Sequence, residues 1–222
     1  HTRSALVSWA PEMCIRDSFM SIKGVVVAVF ILGLAACSTE TPDRDVEEGA
    51  LVSLAQGEVM GIPSPYDDEI TVFRGLPYAA APVAELRWQP PEAAAGWDGV
   101  RVADTFADSC FQLRHTSNFV WRREGFPVSE DCLYLNVWAP DNAEDLPVMV
   151  WFHGGAHTSG QGHSLIFDGT TLAQQGVVVV TVNYRLGPFG FLAHPWLSEA
   201  SESGASGNYG LMDKIAALRW IR

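Results

Sequence analysis

The sequence predicts an α/β protein in which antiparallel N-terminal strands lead into a mostly parallel sheet. Two near-continuous apolar runs, at residues 146–155 and 177–186, have the profile of strands that are buried on both faces. A short helical pattern at residues 170–176 separates them, and a longer helical pattern begins at residue 207. Strands that alternate with helices are typical of a parallel sheet covered by helices.

The composition limits the chain to one generous domain or to part of a larger one. The 222 residues are 48% hydrophobic and include eight tryptophans, so they can bury a sizeable core. The formal net charge is −12, and the only lysines are Lys23 and Lys214. Because phosphate binding needs clustered Lys and Arg, we expect no nucleic-acid partner.

The first 19 residues are set apart from the rest. They show neither a periodic pattern nor an initiating methionine, and they resemble translated sequencing adaptor. A genuine disordered tail is the alternative. We therefore exclude residues 1–19, including Cys14, from functional interpretation and take Met20 as the expected start.

Residues 20–37 have the organisation of an export signal. Lys23 provides a short basic region, and the apolar run at residues 24–36 is shorter than the roughly 20 residues that a membrane span needs. The run ends in the letters LAAC, which resemble the bacterial lipoprotein signal, and this resemblance implies that Cys37 is acylated. An ordinary cleaved signal or an uncleaved anchor is the alternative.

The following residues, 38–50, are acidic and almost free of apolar side chains, as expected of a tether. Together with the signal, this tether predicts a lipoprotein of the bacterial cell envelope on the periplasmic or outer-membrane side. The lipid anchor is then the expected membrane contact, and residues 51–222 form the folded part.

Two cysteines remain once Cys14 is excluded and Cys37 is assigned to the lipid. Export places Cys110 and Cys132 in an oxidising compartment, so we expect a disulfide that closes a loop of about 22 residues. Such a bridge contributes on the order of 3 kcal/mol by the loop-entropy estimate. Two unpaired buried thiols are the alternative.

The folded part opens with strand-like patterns at residues 51–62 and 70–79, separated by a turn marked by Gly61, Pro63 and Pro65. A proline-rich connector and an irregular aromatic stretch follow. Residues 132–140 then alternate with the period of a strand. In the last helix, an apolar stripe is predicted at Leu211, Ile215, Leu218 and Trp220.

The letters WFHGGAHTSGQG stand directly after the first apolar run, at the predicted carboxyl end of a strand, where open α/β sheets form their sites. Adjacent glycines allow consecutive backbone N–H groups to point in one direction. Such a row of donors stabilises the oxyanion of an acyl transfer. A strand-end turn that simply favours two glycines is the alternative.

Several blocks of sequence resemble one family, the type-B carboxylesterases together with the cholinesterases, which have the α/β-hydrolase fold. The resemblance extends from about residue 52 to residue 222, and the second block is its most specific part. The blocks are FRGLPYAAAPVAELRWQPPE, SEDCLYLNVWAP, PVMVWFHGGAHTSGQG, VVVVTVNYRLGPFGFL and GNYGLMDKIAALRW.

The resemblance implies that Gly155 and Ala156 supply oxyanion donors within a turn that begins at Gly154, with a third donor from the residue after the nucleophile. Ala156 stands where many family members have glycine, and a backbone donor tolerates this change. The substrate class implied is a small carboxylic ester. The resemblance also matches Cys110 with Cys132 as a disulfide.

The resemblance further implies two buried ion pairs, Arg87 with Glu130 and Arg185 with Asp213. Charges in apolar surroundings need partners, because an unpaired buried charge costs several kcal/mol. We expect these four residues to be structural rather than catalytic.

The histidines do not form a recognisable catalytic or metal-binding pattern. His153 is expected to shape the oxyanion turn, while His115, His157, His163 and His194 lie on predicted loops as solvated or locally bonded side chains. Of these, His157 and His163 are near enough to the turn to line a pocket. We expect no metal and no cofactor. Trp121 is interpreted as a general wall or core residue.

The letters SESGASGNYG contain two serines that superficially resemble a nucleophile, Ser203 and Ser206. A nucleophile elbow needs Gly-x-Ser-x-Gly after a strand, and neither serine has those flanks. In the resembled family the elbow follows the helix that starts near residue 207. The catalytic Ser, acid and His are therefore expected beyond Arg222, and the chain alone is expected to be inactive and to fold poorly. A non-catalytic adhesion or binding relative without the serine is the alternative.

Overall fold

The structure is a computed structural model, and it describes residues 49–113, 127–141 and 143–222. Ten strands, four α-helices and two 3-10 helices occur in these ranges. In chain order they are β1 Leu51–Leu54, β2 Gly57–Met60, β3 Ile62–Ser64, β4 Asp67–Pro77, a 3-10 helix Ala84–Leu86, β5 Val100–Val102, β6 Ser109–Cys110, β7 Val128–Ser129, β8 Tyr134–Pro140, β9 Val148–Phe152, a 3-10 helix Leu165–Phe167, α1 Thr170–Ala173, β10 Val178–Val182, α2 Gly187–Phe191, α3 Pro195–Ala200 and α4 Tyr209–Ile221.

The main sheet has five strands in the order β3-β4-β8-β10-β9. Strands β3, β4, β8 and β10 pair antiparallel along this order, whereas β10 and β9 pair parallel. Val180 lies at the centre, opposite Val137 on one side and Val150 on the other. The predicted antiparallel beginning is thus present, and among the described residues β9 with β10 is the one parallel pair of the main sheet.

The two smaller sheets flank this arrangement. Strands β1, β2 and β5 form one, in which β1 and β2 are an antiparallel hairpin and β2 and β5 run parallel. Strands β6 and β7 form a short parallel pair, in which Cys110 of β6 lies opposite Ser129 of β7. Within the described ranges, no helix has the length and hydropathy needed to cross a membrane.

The core lies on both faces of the main sheet, because alternate side chains of β8 and β10 point to opposite sides. Leu135 and Val180 belong to the larger cluster, which includes Ala217 of α4. Trp138 and Val179 belong to a second cluster with Ala173 of α1. The helices predicted at residues 170–176 and from residue 207 therefore cover this sheet.

The prediction that the first apolar run is buried on both faces is wrong for β9. Val148, Met149 and Trp151 are 49%, 45% and 44% exposed. The reason is positional, since β9 is the edge strand and pairs only with β10 among the described residues. Strand β10 fits the prediction, with Val179 to Val182 all buried.

The predicted apolar stripe of α4 is wrong at three of its four residues, because Leu211, Ile215 and Leu218 are 43%, 48% and 46% exposed. Its fourth residue, Trp220, packs against the larger core cluster. The buried face carries Asp213 and Ala217 instead. Asp213 follows Leu211 by two residues, which is roughly 200° around the helix. Burial of Asp213 against the sheet therefore turns Leu211 outward.

Prolines mark two further differences from the predicted elements. Pro63 lies inside β3 rather than in a turn, which is tolerated because β3 is an edge strand and Pro lacks the N–H of a ladder hydrogen bond. The turn falls at residues 65–66. Helices α2 and α3 were not predicted, although Pro188 and Pro195 occupy first-turn positions where Pro is favourable.

Candidate functional site

The glycine-rich turn follows β9 directly, at the carboxyl end of the parallel pair β9–β10. Gly154, Gly155 and Ala156 are all exposed. Gly155 has φ of 120°, and Ala156 and His157 have φ of 53° and 59°. A Cβ atom at Gly155 would overlap the carbonyl of Ser159, so this position requires glycine. Left-handed conformations at two residues that carry a Cβ indicate a turn held by its surroundings.

The backbone hydrogen bonds of the turn are arranged asymmetrically. The N–H groups of Thr158 and Ser159 both donate to the Gly155 carbonyl, at 3.0 and 3.2 Å. Among the described residues, no acceptor faces the N–H of Gly155 or of Ala156. The turn therefore presents two adjacent donors to solvent, and such a pair can bind an oxyanion without any rearrangement.

His153 supports the start of the turn from inside the fold. It is only 3% exposed, its imidazole stacks on Tyr184 at 4.5 Å between ring centroids, and Nδ1 donates to the Gly154 carbonyl at 2.9 Å. The Tyr184 hydroxyl donates to the His153 carbonyl at 2.7 Å. Burial lowers the pKa of His153 to about 4, so the ring is neutral at pH 7. His153 positions the turn, and no carboxylate of the described residues is hydrogen-bonded to its ring.

Gln112 supports the far end of the turn through its amide group. Its Nε2 donates to the Gly160 carbonyl at 2.7 Å, and its Oε1 accepts from the Gly160 N–H at 2.8 Å. Gly160 has φ of 120°, and a Cβ atom there would overlap the His153 ring. Sequence reasoning missed Gln112, since a single glutamine in an irregular stretch carries no pattern.

Cys110 and Cys132 lie side by side, with their Cα atoms 4.9 Å apart and their sulfur atoms 2.04 Å apart. Both residues are buried, at 2% and 1% exposure. The contact ties the segment that carries Gln112 to the start of β8. Two side chains that the sequence analysis placed near this segment, His115 and Trp121, lie outside the described residues.

Arg185 and Asp213 meet inside the fold, where Nη2 and Nε of Arg185 donate to the two carboxylate oxygens at 2.7 and 2.9 Å. The backbone N–H of Arg185 donates to the same carboxylate, and its Nη1 donates to the Gln89 carbonyl. Burial raises the pKa of the Asp213 carboxyl, while the hydrogen bonds from Arg185 act in the opposite direction.

Arg87 and Glu130 also pair in a bidentate geometry, with Nη2 of Arg87 2.7 Å from Oε1 of Glu130. The expectation that this pair is buried is wrong, because the two side chains are 40% and 22% exposed. Arg87 follows the 3-10 helix of the surface connector, and solvent reaches it there. The Glu130 bond raises the pKa of the Arg87 guanidinium.

Comparison with known proteins shows the family to which the chain belongs. The sequence model of the carboxylesterase family matches residues 48–222, which include the turn and all of the elements described above. The chain belongs to the carboxylesterase family.

Two esterases are similar in sequence to this chain over most of its length. The chain is 44% identical over 199 residues to the fumonisin B1 esterase of Sphingopyxis macrogoltabida, a match that covers 87% of this chain and 34% of the relative. It is 42% identical over 174 residues to the para-nitrobenzyl esterase of Bacillus subtilis strain 168, covering 78% and 34%. The chain thus spans about a third of the length of these relatives.

Solved structures show the α/β-hydrolase fold of this carboxylesterase chain. A PNB esterase structure superposes with a TM-score of 0.69 at 39% identity, covering 78% of this chain and 34% of the other. The carboxylesterase EST55 of Geobacillus stearothermophilus gives a TM-score of 0.66 at 41% identity, covering 77% and 34%. Antiparallel strands followed by the parallel pair β9–β10 thus form part of that fold.

The serines of the carboxylesterase chain that first resemble a nucleophile are placed in a loop after α3. The Ser203 hydroxyl contacts only that of Ser201, at 2.9 Å. The Ser206 hydroxyl lies 2.7 Å from that of Ser198 and accepts from the His194 backbone N–H at 3.1 Å. Neither hydroxyl contacts an imidazole in the described part of the chain.

The other described histidines of this chain are held by ring stacking or by hydrogen bonds. His163 is 3% exposed and stacks on Phe106, and burial lowers its pKa to about 4. His194 accepts from the Trp196 N–H at the start of α3. His157 stacks on Phe191 at 4.4 Å, at the exposed end of the turn. In the described ranges, no three His, Cys, Asp or Glu side chains cluster as a metal site would require.

Proposed function

We propose that the intact protein, meaning this chain continued to the full length of its gene, hydrolyses small carboxylic esters through an acyl-serine intermediate. The observation that carries the proposal is the pair of exposed, unpaired N–H groups at Gly155 and Ala156, in a chain of the carboxylesterase family. Donors fixed before the reaction are worth most where negative charge develops, and removal of one typically costs about 3 kcal/mol in the transition state.

The proposed chemistry has two halves. A serine oxygen attacks the ester carbonyl, and the oxygen of the tetrahedral intermediate accepts hydrogen bonds from Gly155 and Ala156. The intermediate then collapses, and the alcohol leaves with a proton from a catalytic histidine. Water adds to the acyl-serine through a second oxyanion of the same kind and releases the carboxylic acid.

The serine, the acid and the histidine are proposed to lie in sequence that follows Arg222. Two observations support this placement: neither Ser203 nor Ser206 has the Gly-x-Ser-x-Gly flanks of a nucleophile elbow, and the chain covers 34% of its esterase relatives. A third oxyanion donor would come from the residue after that serine. The 222 residues alone are then expected to give no saturable hydrolysis of a p-nitrophenyl ester.

The experiment that tests the function is recovery of the coding sequence beyond Arg222 followed by an ester-hydrolysis assay. A Gly-x-Ser-x-Gly elbow one strand after α4, together with turnover of a p-nitrophenyl ester, supports the enzyme. If another residue replaces the serine and turnover is absent, the chain is a non-catalytic binding relative.

We also propose that the intact protein is an exported lipoprotein anchored through Cys37. The support is the sequence of residues 20–37, which lies outside the described residues. Metabolic labelling with a fatty acid in a bacterial host should label the protein, and Cys37→Ser should abolish the label. Equal labelling of both forms would contradict the anchor.

A further inference from the structure

Lys214 of α4 lies against both ends of the oxyanion turn. Its Nζ is 3.9 Å from the centroid of the Tyr184 ring and 3.4 Å from Nε2 of His157. Tyr184 holds the start of the turn through His153, and His157 is the last of its left-handed residues. One side chain on a well-packed helix therefore contacts the supports on both sides of Gly155 and Ala156.

The contact at the start of the turn is a cation over an aromatic ring. The Tyr184 ring also stacks on the His153 ring, and the Tyr184 hydroxyl donates to the His153 carbonyl at 2.7 Å. A cation over a tyrosine ring contributes on the order of 1 kcal/mol, and more where water is excluded. Lys214 thus helps to keep Tyr184, and through it the residue before Gly154, in place.

The contact at the end of the turn indicates which ring nitrogen of His157 carries the proton. A lysine ammonium only donates, so Nε2 of His157 must be the acceptor and its proton must sit on Nδ1. The His157 ring is also held by stacking on Phe191, and its carbonyl accepts from the Gly187 N–H at 2.6 Å. These contacts hold a residue at φ of 59°, immediately after the donor residue Ala156.

We propose that Lys214 is a positioning residue for the oxyanion donors, acting through His157 and Tyr184. This proposal rests on the ester-hydrolase function proposed above. Lys214 does not contact substrate in this role. It restricts the left-handed turn, and with it the N–H groups of Gly155 and Ala156, to one geometry, and misplacement of such groups by about 1 Å can cost on the order of 100-fold in rate.

The test uses the intact protein with three substitutions on α4 and a titration of active sites. Lys214→Met removes the charge and the donor but keeps the length of the side chain, and Lys214→Arg restores both. Arg219→Met is the matched control, since it removes an equally positive but exposed side chain from the same helix. Titration with a fluorophosphonate counts the folded, competent sites, so that kcat is expressed per active site.

We expect Lys214→Met to lower kcat per active site about tenfold, with KM changed less than twofold, because positioning of the oxyanion acts mainly in the transition state. The inhibition constant of a trifluoromethyl ketone, which forms an oxyanion adduct, should rise in parallel. Lys214→Arg and Arg219→Met should stay within twofold of the parent.

A double-mutant cycle tests whether Lys214 acts through His157. Asn tolerates the left-handed conformation, so His157→Asn keeps the backbone while it removes the imidazole. In the His157→Asn background, Lys214→Met should lower kcat clearly less than in the parent protein. A kcat per active site that is unchanged by Lys214→Met, or a full additional loss in the His157→Asn background, overturns the positioning role. Absence of turnover in the parent overturns the proposed function instead.

Discussion

Arg185 and Asp213 form an ion pair whose side chains are 3% and 0% exposed, and this pair fixes the rotation of α4 against the sheet. Arg185 follows β10, and Asp213 lies in the first turns of α4, 28 residues further along the chain. The same helix carries Lys214. The pair therefore links the central sheet to the helix that contacts the oxyanion turn.

The first prediction concerns this pair. Asp213→Asn should lower the free energy of unfolding of the intact protein by about 3–5 kcal/mol, because it leaves the Arg185 guanidinium buried without a counter-charge. Urea denaturation followed by tryptophan fluorescence measures the loss. Glu130→Gln, at the partly exposed Arg87–Glu130 pair, is the matched control and should cost at most about 1 kcal/mol. Equal losses in the two variants would contradict the structural role of Asp213.

The second prediction concerns the oxyanion turn. Gly155→Ala should lower kcat by about 100-fold, because a Cβ atom at φ of 120° overlaps the Ser159 carbonyl and displaces the N–H donor. Gly154→Ala places its Cβ where no atom lies within 4 Å and should cost much less. Kinetics of p-nitrophenyl ester hydrolysis by the intact protein give both values. Similar losses at the two positions would show that the turn is not built around Gly155.

The third prediction concerns the pH dependence of stability. His153 and His163 have pKa values of about 4 in the fold, whereas an unfolded histidine has a pKa of about 6.5. The unfolded state therefore binds more protons between these values, so stability is fully present above pH 6.5 and falls as the pH drops toward 4.

Between pH 7 and pH 5 we expect a loss of about 2 kcal/mol per histidine in the free energy of unfolding. Urea denaturation at half-unit steps of pH measures it. His163→Asn, which titrates no imidazole, should remove about half of the slope. A flat profile between pH 7 and pH 5 would mean that neither ring is held neutral by burial.

The fourth prediction concerns Cys110 and Cys132. Peptide mapping without reductant should recover the two residues in one linked peptide, and Cys132→Ser should lower the free energy of unfolding by about 3 kcal/mol, as estimated for a loop of this length. Ser109→Ala, next to Cys110, changes a neighbouring side chain without touching either thiol. Recovery of both cysteines as free thiols from protein produced in an oxidising compartment would contradict the disulfide.

Local pattern was sufficient to predict the turn and the strands that carry it. Adjacent glycines after an apolar run mark Gly154 and Gly155 directly, and the apolar letters of residues 178–182 predict a buried strand, as β10 is. Helix α4 was predicted to begin near residue 207, and it begins at Tyr209. These features depend on residues that are adjacent in the chain, and such residues can be read directly from the sequence.

Contacts between distant segments explain what the sequence did not reveal. The partner of Gln112 lies 48 residues away and that of Lys214 lies 57 residues away, and neither pairing leaves a periodic trace. The apolar stripe of α4 was misassigned although the buried Arg185–Asp213 pair was expected, because burial of Asp213 places Leu211 roughly 200° away, on the exposed side of the helix. The exposure of β9 follows from its place at the sheet edge, which strand patterns alone do not specify.

The most direct test of the central claim is to label the intact protein with a fluorophosphonate and to locate the adduct by peptide mass spectrometry. We expect one adduct, on a serine within Gly-x-Ser-x-Gly in the sequence that follows Arg222, and loss of ester hydrolysis in proportion to labelling. An adduct on Ser203 or Ser206, or hydrolysis that continues in fully labelled protein, would contradict it.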